Sequence, residues 1–100
     1  MALLPLSLIG APTDVGASVL GARLGPDALR IAGIAQTLRS RGLDVLDRGN
    51  LSGPGNPQLP PQNGFRHLPE VAAWNTAVFA AAGAGLAGGR LPLLMGGDHC

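Results

Sequence analysis

"LPLLMGGDHC", residues 91–100, decides how the rest of the chain is read. Five uncharged, mostly apolar residues come first, then a glycine pair, then an acid, a histidine and a cysteine. A short continuous apolar run bounded by a turn signal reads as a strand covered on both faces. Gly96 and Gly97 end that strand, because glycine lets the backbone turn sharply and approach its neighbours closely. His99 therefore falls just past the carboxyl end of a buried strand. Open α/β sheets place their ligands there.

Two other runs read the same way. "LPLSLIG" (4–10) is closed by Gly10, and "LDVLD" (43–47) is the second strand. Between them, residues 11–25 hold Pro12 and glycines at 16, 21 and 25, which argue for a loop. Pro26 suits the first turn of a helix, and Asp27 suits its positive end. Ile31, Ile34, Ala35 and Leu38 form an apolar stripe at helical spacing, with Arg30, Thr37 and Arg41 facing away. Gly42 terminates this helix, which is expected over 26–41. Residues 50–64, "NLSGPGNPQLPPQNG", are too rich in proline and glycine for regular structure and form a long surface loop. A second helix is expected over 69–87, with Val71, Trp74, Val78, Ala82 and Leu86 on one face and mostly alanine elsewhere.

Strand–helix–strand–helix–strand predicts an α/β fold: a parallel sheet with right-handed crossovers and helices on both faces. The long second connection carries the third strand past the first, giving the order 2-1-3. Strands 1 and 3 then flank a topological switch point, where the loop after Gly10 and the tetrad Gly96–His99 meet.

Composition removes several functions. Seven arginines, no lysine and six thinly spread acids give a net charge of +1, with no basic stripe for nucleic acid and no polybasic patch for a membrane. The apolar start "MALLPLSLIGAPTDVGA" lacks a positive amino-terminal region and contains Pro5, so it reads as strand rather than signal peptide. The uncharged stretch Val71–Gly89 contains Asn75 and Thr76, and its larger residues keep helical spacing, so it reads as a packing helix rather than a membrane span. Cys100 is the single cysteine. It excludes an internal disulfide and fits a reducing, cytoplasmic compartment. The first glycine loop has neither G-x-G-x-x-G nor a P-loop lysine, so a nucleotide is not expected.

The candidates for chemistry are few. His99 offers a neutral ring nitrogen, the commonest protein metal ligand, and spacing alone leaves open a hydrogen-bonded loop residue instead. Asp98 can brace the loop, cap a following helix or support the metal ligand from behind. Asp14 faces the same crevice and reads as a solvated turn residue. His67 reads as a surface residue. Cys100 would need a base beside it to act as a nucleophile, and His99 is too close in sequence to serve alone.

Taken together, "IGAP" (9–12), "GARLGPDALRIAG" (21–33), "GLDVLDRGNL" (42–51) and "LPLLMGGDH" (91–99) resemble the amino-terminal segment of the arginase family of ureohydrolases. The resemblance implies a three-layer α/β/α fold and a binuclear manganese centre at the carboxyl edge of the sheet. It makes His99 a ligand of one Mn²⁺. It implies hydrolysis of a small guanidino substrate, with metal-activated water attacking the guanidinium carbon, and a homo-oligomer. The pattern is closer to arginases, which convert L-arginine to L-ornithine and urea, than to agmatinases, and the alternative is an agmatinase or another ureohydrolase. Two positions depart from the family: Cys100 stands where serine is usual, and Asn50 where aspartate is usual. The family's other ligands, in Asp-x-His-x-Asp and a later Asp-x-Asp, are not in this sequence. Residues 1–100 are therefore expected to be the front portion of one domain, cut after its first ligand and inactive alone. The rival from another class is a non-enzymatic α/β binding module complete in itself.

Overall fold

The computed structural model describes residues 5–100, so the expected start of the first strand at Leu4 lies outside the described residues. β1 (Leu6–Gly10) is the middle strand of a three-stranded sheet, with β2 (Val45–Asn50) and β3 (Leu91–Met95) on either side. The order is β2-β1-β3 and both pairings are parallel, as the connection lengths imply. Gly10 lies opposite Asn50 on one side and Met95 on the other, so these three residues mark the carboxyl edge. The β1–β2 register shifts between Leu8 and Gly10.

All five β1 residues are buried, in keeping with its apolar run, whereas β3, expected to be covered on both faces, is an edge strand that leaves Leu91, Leu93 and Leu94 exposed and buries only Met95. Leu6 and Leu8 join Val45 and Met95 in one core cluster. Leu8 has no exposed surface, and burying such a side chain stabilises a fold by about 1.5–3 kcal/mol.

The helix expected over 26–41 is two short helices, α1 (Gly25–Ile31) and α2 (Ile34–Ser40). Gly33, at φ 92°, breaks it: a left-handed residue cannot continue a right-handed helix. The stripe divides there. Ile34, Ala35 and Leu38 pack on the Leu6–Leu8 cluster, whereas Ile31 is 88% exposed. Arg30 does not face away, as expected, but reaches the end of β2.

The second strand begins at Val45 rather than residue 43 and continues to Asn50. Residues 42 and 43 close α2 instead. The Gly42 amide donates to Arg39 O and the Leu43 amide to Leu38 O. Gly42 sits at φ 87° and Leu43 packs on the core cluster, the bond pattern of a Schellman stop.

α3 (Leu68–Ala87) carries the other face. Ile9 shares a small cavity with Ala81 and Ala84. A Cβ on Gly85 would lie 3.6 Å from that of Pro92, so α3 approaches β3 closely. Val71, Trp74 and Val78 pack inward as expected. Leu86 does not: it is 61% exposed, and the buried Gly85 takes the contact. With α2 on one face and α3 on the other, the sheet is the middle of three layers. Among the described residues no helix is long and apolar enough to cross a membrane.

The loop between β2 and α3 is irregular yet pinned. Trp74 Nε1 donates to Pro54 O at 2.6 Å, and its ring leaves no room for a Cβ on Gly53. Asn56 Nδ2 donates to the carbonyls of Asp14 and Ala17. The long loop is thus tied to the loop that follows β1.

Candidate functional site

The end of β3 is seated on the β1–α1 loop by main-chain contacts. The Ala11 amide donates to Met95 O at 2.8 Å, and the Asp98 amide to Thr13 O at 2.9 Å. The Gly96–Gly97 pair allows this approach. A Cβ on Gly97 would collide with Thr13 O and would lie 2.5 Å from Ala22 O. A Cβ on Gly25 would lie 2.6 Å from Gly96 O, and one on Gly16 2.8 Å from an Asp98 carboxylate oxygen. The two loops expected at the switch point therefore meet, and glycines on both make the contact possible.

This seating sets what each side chain can do. Asp98 is half-buried against Gly16 and Cys100, and His99 is exposed at the carboxyl edge. Burial, reinforced by the Asp98 carboxylate, pushes the Cys100 thiol above its usual pKa. A raised pKa leaves less thiolate and makes a poor nucleophile.

Asp14 and His67 both differ from their sequence readings. Asp14 is not a solvated turn residue: it is 3% exposed. Its carboxylate accepts the Gly21 amide at 3.0 Å and stands 3.9 Å from Arg23 Nε. Those contacts close the turn that carries Thr13 and Ala22, the two carbonyls over Gly97. His67 is not on the surface: it is 7% exposed, with φ 54° at the start of α3. Its ring lies between Val15 O, at 2.5 Å from Nδ1, and the main chain of Leu59, at 3.0 Å from Nε2. Neither burial was legible, because both residues are held chiefly by main-chain groups in irregular segments, seven residues away for Asp14 and eight and 52 away for His67.

The other end of the carboxyl edge, at β2, is built from charge. Arg30 binds both carboxylate oxygens of Asp47, at 2.9 and 3.0 Å, and also reaches Asn50 and Asp27. The Arg30 guanidinium holds the Asp47 carboxyl below its usual pKa, and the hydrogen-bonded Asp47 carboxylate raises that of Arg30.

A metal at this edge could draw on His99, with Asp98 beside it. Among the described residues no group of three or more His, Cys, Asp or Glu side chains could hold an ion. The donors present fit one ligand of a metal centre, not a complete centre. A cavity of about 460 Å³ opens elsewhere, lined by Leu59, Phe65, His67, Leu68 and Glu70 among others, and does not include the tetrad.

Comparison with known proteins gives one consistent result. The family model described as "Arginase family" matches residues 5–100. An arginase of Staphylococcus aureus (strain COL) is 35% identical over 97 residues, covering 94% of this chain and 32% of its own. An arginase of Bacillus caldovelox is 36% identical over 97 residues, covering 95% of this chain and 32% of its own. The native crystal structure of Bacillus caldovelox arginase at pH 5.6 superposes with a TM-score of 0.86 at 35% identity, over 97% of this chain and 33% of that one. Bacillus subtilis arginase gives a TM-score of 0.79 at 28% identity, over 95% of this chain and 29% of that one. The chain thus spans about a third of the length of the curated relatives it matches.

Proposed function

The chain belongs to the arginase family, and from that premise we propose that the protein is a manganese-dependent ureohydrolase that converts L-arginine to L-ornithine and urea. His99 is a ligand of one Mn²⁺ ion, and Asp98 braces the turn behind it. Residues 1–100 are the amino-terminal portion of the catalytic domain, and the remaining metal and substrate ligands come from sequence beyond them. The single observation that supports this reading best is the position of His99. It is presented outward at the β1–β3 switch point by a turn whose main chain is locked to the opposing loop.

When bound, the metal supplies a water acid enough to react near neutral pH and a positive field for the developing charge. The tasks of this segment are geometric. The Gly96–Gly97 turn and the Asp98 amide held on Thr13 O fix the main chain that carries His99. The backbone is thus set in place while the exposed imidazole stays free to turn to an ion.

The test uses the full-length protein loaded with Mn²⁺. Urea and ornithine should appear from arginine, with much slower turnover of agmatine. His99→Asn should lower the manganese content and cut activity well over tenfold, since changing even a ligand's outer hydrogen-bond partner costs about 10–100-fold. Metal content and activity within twofold of wild type would remove His99 from the centre. Faster turnover of agmatine would move the protein to the agmatinases. No metal uptake and no urea from either substrate would leave the non-enzymatic module. The 100-residue chain alone, with its incomplete donor set, should release no urea and bind Mn²⁺ weakly by calorimetry.

A further inference from the structure

His67 is the buried imidazole that the proposed chemistry does not use. It stands at the start of α3, remote in sequence from the tetrad, and its backbone is left-handed at φ 54°. Residues other than glycine are uncommon in that conformation, with asparagine, aspartate and histidine the most tolerant of it. The ring contacts show what holds this buried histidine. Nδ1 lies 2.5 Å from Val15 O. A carbonyl can only accept, so Nδ1 carries the proton. Nε2 lies 3.0 Å from both the amide and the carbonyl of Leu59, so the ring also engages that main chain.

From Val15 the connections lead to the tetrad. The Val15 amide donates to Thr13 Oγ1 at 3.0 Å, and Thr13 O accepts the Asp98 amide at 2.9 Å. Gly16, the next residue, packs against the Asp98 carboxylate. On the other side of the ring, Leu59 belongs to the long loop that Asn56 also ties to Asp14 and Ala17. The ring is thus a strut between two irregular segments, one of which is the seat of the β3 turn.

We propose that His67 is a positioning residue for the metal edge: its ring, donating from Nδ1 to Val15 O, fixes the Thr13–Gly16 turn and, through it, the Asp98–His99 main chain. The mechanical part of this proposal stands on the contacts alone, and its relevance to metal binding rests on the ureohydrolase reading. The two are tested separately.

In the wild-type full-length protein labelled with ¹⁵N-histidine, the His67 ring should show a protonated Nδ1. An unprotonated Nδ1 overturns the proposal without any variant being made. His67→Asn is the second arm. Asparagine accepts the left-handed backbone but is too short to span Val15 and Leu59. Amide hydrogen exchange at Asp98 should accelerate by tenfold or more, while the Leu6 amide, which donates to Asp44 O on the opposite edge, stays within twofold. Equal acceleration of both amides would mean loss of stability alone, and no acceleration at Asp98 would mean no strut; either overturns the proposal. In the manganese-loaded enzyme, H67N should weaken Mn²⁺ affinity three- to tenfold with kcat at saturating Mn²⁺ within about threefold. Unchanged affinity with accelerated Asp98 exchange would overturn the link to the metal edge and leave the strut. Absence of urea production by the wild type would instead count against the ureohydrolase reading, and the exchange result would still stand.

Discussion

The two ends of the sheet's carboxyl edge are built from different materials. At β2, side chains hold side chains: one guanidinium gathers Asp47, Asn50 and Asp27. At β3, main chain holds main chain, with Asp98 and Ala11 bonded across the switch point and glycines where the backbones touch. A network that satisfies its own charges has none to offer a ligand. A turn fixed by its backbone leaves its side chains free, and His99 is exposed as a result. The contrast explains why the more polar end is the less suited to chemistry.

Gly97→Ala should break this contrast with the largest effect. The added methyl would run into two carbonyls, Thr13 O and Ala22 O. Forced repacking of that kind costs about 1–3 kcal/mol and sometimes more. Thermal denaturation of the full-length protein should show a loss of roughly 3 kcal/mol, accompanied by weaker Mn²⁺ binding. A loss under about 0.5 kcal/mol, the range of ordinary surface changes, would show that the turn has room.

Arg30→Ala should be the next largest, at about 1 kcal/mol, because the bidentate pair is partly open to solvent. The pH dependence identifies its source. Asp47 has a depressed pKa in the folded protein, with the Arg30 hydrogen bond the largest cause. The stability it contributes is present above the ordinary aspartate pKa of about 3.9 and is lost as pH falls through the lower folded value. The difference between wild type and R30A should therefore be constant near pH 7 and shrink below about pH 4. A difference that persists undiminished at pH 2 would assign the effect to packing. Mn²⁺ affinity should not change, since the network stands apart from the tetrad.

Asn50→Asp is the smallest step. Asn50 accepts from Arg30 and donates to Asp27 at 3.2 Å. The aspartate keeps the first bond, strengthens its charge and loses the second to repulsion. The net change should lie within about 0.5 kcal/mol at pH 7 by urea titration, as for most exposed ion pairs. A gain above 1 kcal/mol would show that Asp27 contributes little to the network.

The sequence displayed the sheet well because each strand is marked by a short apolar run in its own residues, although only β1 is buried along its whole length. "LPLSLIG" and "LPLLM" read as strands, and the parallel order 2-1-3 followed from the connections. Boundaries set by a single backbone angle were less visible. Gly33 was read as part of a helix because a lone glycine inside a periodic stripe leaves the stripe intact, yet at φ 92° it divides the helix. Leu43 looked like strand for the same reason and serves as a helix stop. His99 was legible as a candidate because its turn is local. Asp14 and His67 were misread as exposed, since their partners are main-chain groups that no side-chain pattern records. The resemblance to the family reached His99 but said nothing of the main-chain contacts around His67.

Trp74 is the only indole in the chain and there is no tyrosine. It is buried under Gly53, bonded to Pro54 and packed on Ala11 and Val15, so its fluorescence reports the corner where the proline-rich loop and the loop after β1 both meet α3. Emission from a covered indole is blue-shifted, and it moves red when the cover lifts. Far-ultraviolet dichroism follows the helices and sheet instead. The two signals can therefore be recorded on one sample to ask whether the loop lets go before the sheet does, and no label need be introduced.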